Sequence, residues 1–146
     1  MTLDADWEYL LKRLNYSKTK GGEKRVFPGT TIYLGDHQPD FEEWERIIKL
    51  FPCKDPQAYI MRQSPGQVMP LHRDEHGSYR RLFGKHTETV RRWWIPLRDR
   101  QPGHILEVDG QLMDWKAGDT IEIVGKHGTA TIGSTPRYCL IITGVN

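Results

Sequence analysis

The sequence predicts a mainly β protein, a jelly-roll or cupin-type double sheet with two N-terminal helices packed on one outer face. Three observations carry this. Two apolar stripes at helical spacing occupy the first third of the chain, around Trp7 to Leu14 and Phe41 to Phe51. From Ala58 onward short β-type runs follow one another, each closed by a turn signal. No internal repeat, low-complexity tract or linker divides the 146 residues. One domain is therefore expected, with a helical part over 1–55 and a β-roll core over 56–146.

The elements follow in order. Trp7, Leu10, Leu11 and Leu14 recur at i, i+3, i+4 and i+7, which predicts a first amphipathic helix with Asp4 or Asp6 at its start. Residues 17–24, with Gly21-Gly22 among charged side chains, read as a loop, and Thr30 to Leu34 as a short strand. Phe41, Trp44, Ile47, Ile48 and Phe51 predict a second helix between Pro39 and Pro52. The β runs are then Ala58–Gln63, Val68–Asp74, Thr89–Leu97, His104–Val108, Gln111–Trp115, Thr120–Val124, Gly128–Ile132 and Tyr138–Thr143. Asp109-Gly110 between two of them is a hairpin signal. The polar, basic segment Gly77 to His86 reads as a mobile loop.

Composition narrows the class. At 37% hydrophobic and 27% charged residues the chain suits a globular protein in water rather than a disordered one. No apolar run approaches the roughly 20 residues that span a bilayer, and Asp4, Asp6 and Glu8 do not suit a secretory leader. A cytoplasmic location is the expectation. A net charge of +2 is too small to call for an anionic partner by itself. Cys53 and Cys139 form no CxxC pattern and read as buried free thiols.

Chemistry concentrates at Pro70-Leu71-His72-Arg73-Asp74-Glu75. In an extended run His72 and Asp74 project from one side, so both reach one metal ion. The spacing alone also fits an exposed strand end with a surface ion pair. Placement argues for the metal: the pair ends an apolar strand, and His127 arrives strands later, where an antiparallel roll brings strand ends together. Two histidines and one carboxylate on one face of a metal, with other positions open, is the facial triad of non-haem Fe(II) oxygenases. Arg137 shares a strand face with Cys139, Ile141 and Thr143. If that face lines the roll, a buried guanidinium calls for an anion, and its planar fork suits a carboxylate. His76 and His86 flank the basic loop and share no strand face with His72, while His37 and His104 read as turn or strand-start residues.

His72-x-Asp74, His127 and then Arg137 resemble the signature of the Fe(II)/2-oxoglutarate dioxygenases. Arg92-Trp93-Trp94-Ile95-Pro96-Leu97, Pro102-Gly103-His104, Trp115-Lys116-Ala117-Gly118-Asp119 and the run from Pro136 to Gly144 are similar to the aspartyl/asparaginyl β-hydroxylase-like branch, small members of which occur in bacteria and phages. The resemblance covers residues 59–144. It implies a double-stranded β-helix with iron held by His72, Asp74 and His127. It also implies that Arg137 binds the distal carboxylate of 2-oxoglutarate, with O2 as the oxidant and succinate and carbon dioxide as products. A second basic contact to the cosubstrate falls to Arg81 or Arg92, with Arg91 and Arg92 not separable by alternation, and Tyr59 is a further contact. Met69, Leu71, Ile121 and Ile123 are expected as apolar walls. Some β-hydroxylases of the branch lack the carboxylate ligand, so Asp74 aligns this chain with the general dioxygenase pattern.

The substrate stays open, with a protein or peptide side chain or a small molecule favoured over nucleic acid. The competing readings are a non-enzymatic cupin-like binding or assembly module, a metal-dependent isomerase or hydrolase on the same barrel, and an oxygenase acting on nucleic acid. The last rests on arginines and lysines interleaved with Tyr79, Phe83, Trp93 and Trp94. The sequence is silent on oligomeric state.

Overall fold

The computed structural model describes residues 23–27, 30–33 and 42–146. The expected first helix, Trp7 to Leu14, lies outside the described residues. The second is present as α1 (Glu42–Ile48). The described strands are β1 (Glu23–Phe27), β2 (Thr30–Tyr33), β3 (Lys54–Gln63), β4 (Gln67–His72), β5 (Val90–Pro96), β6 (His104–Val108), β7 (Gln111–Leu112), β8 (Ile121–Glu122), β9 (His127–Thr131) and β10 (Arg137–Val145). They form two sheets, in the orders β1-β2-β3-β10-β5-β8 and β4-β9-β6-β7. Every recorded pair is antiparallel.

Alternation explains the layers. On β10, Leu140 and Ile142 face outward with Ala58 and Ile60 of β3 and Trp93 and Ile95 of β5, and Ile47, Ile48 and Phe51 at and just beyond α1 cover them. The opposite faces of the same strands supply Met61, Trp94, Cys139 and Ile141, which meet Leu106, Val108, Trp115 and Ile121 between the sheets. The six-stranded sheet is thus buried on both faces over its central strands. One end of the space between the sheets stays open.

Two expectations change. Glu23 and Lys24, expected in a loop, pair with Tyr33 and Ile32 in β1. The segment expected as a mobile loop contains α2 (Gly77–Phe83), closed by Gly84 in the left-handed conformation, whose N–H reaches the carbonyl of Arg80. Its charged exterior hides one inward residue: Tyr79 is fully buried and donates its hydroxyl to the carbonyl of Asp55 at 2.7 Å. No helix among the described residues is long and apolar enough to cross a membrane.

Candidate metal centre

His72 and His127 come together because β4 and β9 pair with a bulge. Met69 stands opposite Thr129, but the next recorded partners are His72 and His127. β4 therefore spends one residue more than β9 over this interval. Simple alternation from the inward Met69 would turn Leu71 in and His72 out. The bulge reverses the parity: Pro70 and Leu71 are both exposed, and His72 faces the interior. Pro70 has no N–H to give the ladder, which suits it to such a break. Asp74 lies just beyond the end of β4, on the chain that leads to α2.

One ligand atom from each of His72, Asp74 and His127 lies within 4.8 Å of the other two. His72 Nε2 is 3.4 Å from Asp74 Oδ1, and His127 Nε2 is 3.5 Å from Asp74 Oδ2. The imidazole centroids are 4.4 Å apart. His72 Nδ1 sits 2.7 Å from the carbonyl oxygen of Pro70, which can only accept, so Nδ1 carries a proton and Nε2 is the nitrogen turned toward the carboxylate. A hydrogen-bonded outer nitrogen with the other turned inward is how metal-binding histidines are held. Burial holds His127 below the ordinary imidazole value against the opposing pull of Asp74, so this ring is neutral at neutral pH and able to ligate. The donor set is one carboxylate and two imidazoles, which fits a divalent first-row metal and leaves the remaining positions to exogenous ligands.

The triad stands on the wall of a cavity of about 510 Å³ between the sheets, with Tyr59, Met61, Met69, Trp94, Leu106 and Ile141 on its other sides. Arg92 faces this cavity: its Nη1 bonds Asp74 Oδ2 at 2.5 Å and its Nε bonds Thr143 Oγ1 at 3.1 Å. Arg91 takes the other face, bidentate to Glu122 at 2.7 and 2.9 Å and over the ring of Trp93. Tyr59 lines the cavity, and burial raises its pKa against the opposing pull of Arg92, so the phenol stays protonated. Of the four expected walls, Met69 and Ile123 line the cavity. Leu71 is exposed because of the bulge, and Ile121 packs in the core between the sheets.

Arg137 lies deeper than expected. It is buried, but it is not on the cavity wall: its guanidinium lies 5.4 Å from the centroid of Trp94, which does line the cavity. Nη2 donates to Gln63 Oε1 at 2.8 Å and Nη1 to the carbonyl of Ile105 at 3.0 Å, while Nε has no partner. Gln63 also takes a bond from Thr131 and donates to Thr129. Among the described residues no carboxylate pairs with Arg137, and burial lowers its pKa. Arg81 is not brought to the site. It is exposed on α2, bonded to Ser78 at 3.3 Å, because the turn that buries Tyr79 points its own side chain away.

Sequence reading missed Gln63, an inward polar residue at the end of a β run whose only signal is its alternation with Tyr59 and Met61. It also set His76 aside, yet His76 lines the cavity beside Asp74.

No protein-family model and no curated protein matches the sequence. Solved structures do match. The DMSP lyase DddQ from Ruegeria pomeroyi DSS-3 is 10% identical, over 99% of this chain and 66% of that one, with a TM-score of 0.59. KdgF from Halomonas sp. is 14% identical over 86% of each chain, at 0.53. A Thermotoga maritima protein described as a predicted oxalate decarboxylase is 14% identical over 89% of this chain and 96% of that one, at 0.52. The fold is a double-stranded β-helix. At these identities the likeness is one of fold, and none of the three is named as an oxygenase.

Proposed function

We propose that the chain is an Fe(II)- and 2-oxoglutarate-dependent dioxygenase that hydroxylates a C–H bond, releasing succinate and carbon dioxide, with a protein or peptide side chain or an amino acid as the favoured substrate. The observation that carries this reading is the convergence of His72, Asp74 and His127 on the wall of a cavity with room for further ligands beside them. The order His-x-Asp, His and then arginine, all within one roll, adds to it.

His72, Asp74 and His127 would hold the iron, which would supply the coupling of keto-acid decarboxylation to oxidation. The rest falls to the chain. His72 and His127 present imidazole nitrogens, and Asp74 contributes a carboxylate anchored by Arg92. Two guanidiniums compete for the far carboxylate of the cosubstrate. Arg92 already faces the cavity, whereas Arg137 is bonded to Gln63 and lies behind Trp94, so a cosubstrate would reach it only if both moved. Tyr59 offers a hydrogen bond to a carboxylate oxygen. Met61, Met69, Leu106 and Ile141 exclude water from the reacting centre.

The off-wall position of Arg137 favours one second reading, a metal-dependent lyase, isomerase or hydrolase that needs no oxo-acid. A nucleic-acid substrate draws little support. Trp93 and Trp94 are buried and cannot stack bases, and Lys85, Arg91, Arg92 and Arg100 are held in ion pairs. The test is anaerobic addition of Fe(II) and 2-oxoglutarate, read as a weak visible charge-transfer band, followed by succinate release on admitting oxygen. Arg137→Met and Arg92→Met then separate the two clamps by their effect on 2-oxoglutarate affinity. Iron uptake with neither band nor succinate moves the assignment to the second reading, and no iron uptake moves it to a binding module.

A further inference from the structure

His76 occupies a position that local structure does not explain. It precedes α2 at the N-cap, where Ser, Thr, Asp and Asn are favoured because their side chains satisfy the first N–H groups. His76 makes no such bond. Its backbone is left-handed at φ 54° and ψ 27°, a conformation histidine tolerates better than most residues but glycine adopts without cost. Its Nδ1 is buried with no partner. The ring lines the cavity that holds the triad and also a second, more polar cleft of about 550 Å³ that reaches Asp74 and His127 from the side of Arg73 and Glu122.

The surrounding segment is built to hold this residue still. The N–H of Arg80 bonds the carbonyl of His76 at 2.9 Å, and the Arg80 side chain ties the carbonyls of Glu75, Lys85 and Glu88 at 3.3, 3.1 and 3.0 Å. Tyr79 fastens the same turn to β3 through Asp55. Yet His76 is not in the group of three whose ligand atoms lie within 4.8 Å of one another. It stands outside the coordination set and inside the same cavity.

We infer that His76 contacts a small anion bound at an open position of the metal, donating a hydrogen bond to it from an imidazole N–H, and so positions that anion against the triad. This rests on the three residues holding a metal, and extends that reading to the group that faces the metal's ligands. His76 stands two residues beyond Asp74, and with Arg73, Asp74, Ile123 and His127 it lines both clefts.

The experiment uses the full chain loaded with Co(II), with azide as the probe anion. Calorimetry gives Co(II) affinity, the visible spectrum gives azide affinity, and thermal unfolding gives stability. In His76→Gly we expect Co(II) affinity within about twofold of wild type, azide affinity lower by about tenfold for one lost hydrogen bond, and a Tm equal or higher. His76→Asn, which tolerates the same backbone with a shorter reach, should fall between. A glycine variant that binds azide as wild type does overturns the inference while leaving the metal site standing. One that loses stability and Co(II) together makes His76 a packing residue and overturns it too. A wild-type protein that takes up no Co(II) removes both the metal site and the inference.

Discussion

His72 and His127 stand directly opposite each other across the β4–β9 ladder, their ring centroids 4.4 Å apart, only because β4 carries one extra residue between Met69 and His72. The arrangement is therefore a property of the ladder, and a metal bound there should be felt by the whole roll.

The first prediction concerns that coupling. A ligand that binds only the folded state at about a hundredfold its Kd adds about 2.7 kcal/mol, or roughly 5–10 °C in Tm for a domain of this size. Fe(II) or Co(II) should raise the wild-type Tm by that order, and a chelator should reverse it. His72→Ala, Asp74→Ala and His127→Ala should each abolish the rise while leaving the metal-free Tm close to wild type. A rise that survives His127→Ala would place the metal elsewhere.

The second separates two adjacent arginines. Arg92 bonds the candidate ligand Asp74, whereas Arg91 bonds Glu122 on the other face of β5. Loss of a partner that orients a ligand typically costs about 10–100-fold in metal affinity. Arg92→Leu should show that loss in a Co(II) titration, and Arg91→Leu should leave Co(II) affinity unchanged. Equal effects at both positions would mean that Asp74 is not held through Arg92.

Much of this arrangement was legible in the chain. The β runs after Ala58 appear as strands because each is short, apolar and closed by a turn residue, and the inward set Tyr59, Met61, Cys139 and Ile141 follows from alternation. The triad was readable from residue types. Its geometry was not: strict alternation from Met69 sends His72 outward, and only Pro70 hinted at the bulge that turns it in. Arg91 and Arg92 were indistinguishable without knowing which face of β5 meets the cavity. Helix α2 was hidden because its exposed charges outweigh Tyr79, its one buried anchor. Arg137 was placed in the interior by its strand face, but its engagement with Gln63 and the Ile105 carbonyl depends on register between strands far apart in sequence.

The third prediction is a pH effect. The Arg91 hydrogen bond holds the Glu122 carboxyl below its ordinary value, with burial opposing. The folded state thus binds this proton less readily than the unfolded chain. The contribution is present above the unfolded carboxylate pKa and fades as pH falls through the lower folded value. Both side chains are partly exposed, so solvent screening limits the contribution to about 1 kcal/mol or less. Glu122→Gln should lower Tm slightly at pH 7, and the difference should shrink as pH falls through the lowered folded value of the carboxyl. A difference that grows toward acid pH would reverse the assigned sign.

The last prediction compares two glycines with nearly the same backbone. Gly103 and Gly110 have φ of +85° and +83°. A left-handed conformation costs a residue with a side chain about 1–2 kcal/mol, and that cost applies at both positions. Their surroundings differ. A Cβ on Gly110 meets nothing within 4 Å, but on Gly103 it would lie 1.7 Å from the carbonyl oxygen of Ile132, whose N–H bonds the Gly103 carbonyl at 2.8 Å. Neither backbone can yield without breaking the end of the β6–β9 ladder, where His104 opposes Thr131. Gly110→Ala should therefore lose about 1–2 kcal/mol in urea unfolding, and Gly103→Ala clearly more. His127 lies at the opposite end of β9, so any folded Gly103→Ala protein should bind Co(II) with near wild-type affinity. Equal losses at the two positions would show that the approach of Ile132 to Gly103 is not a constraint on the roll.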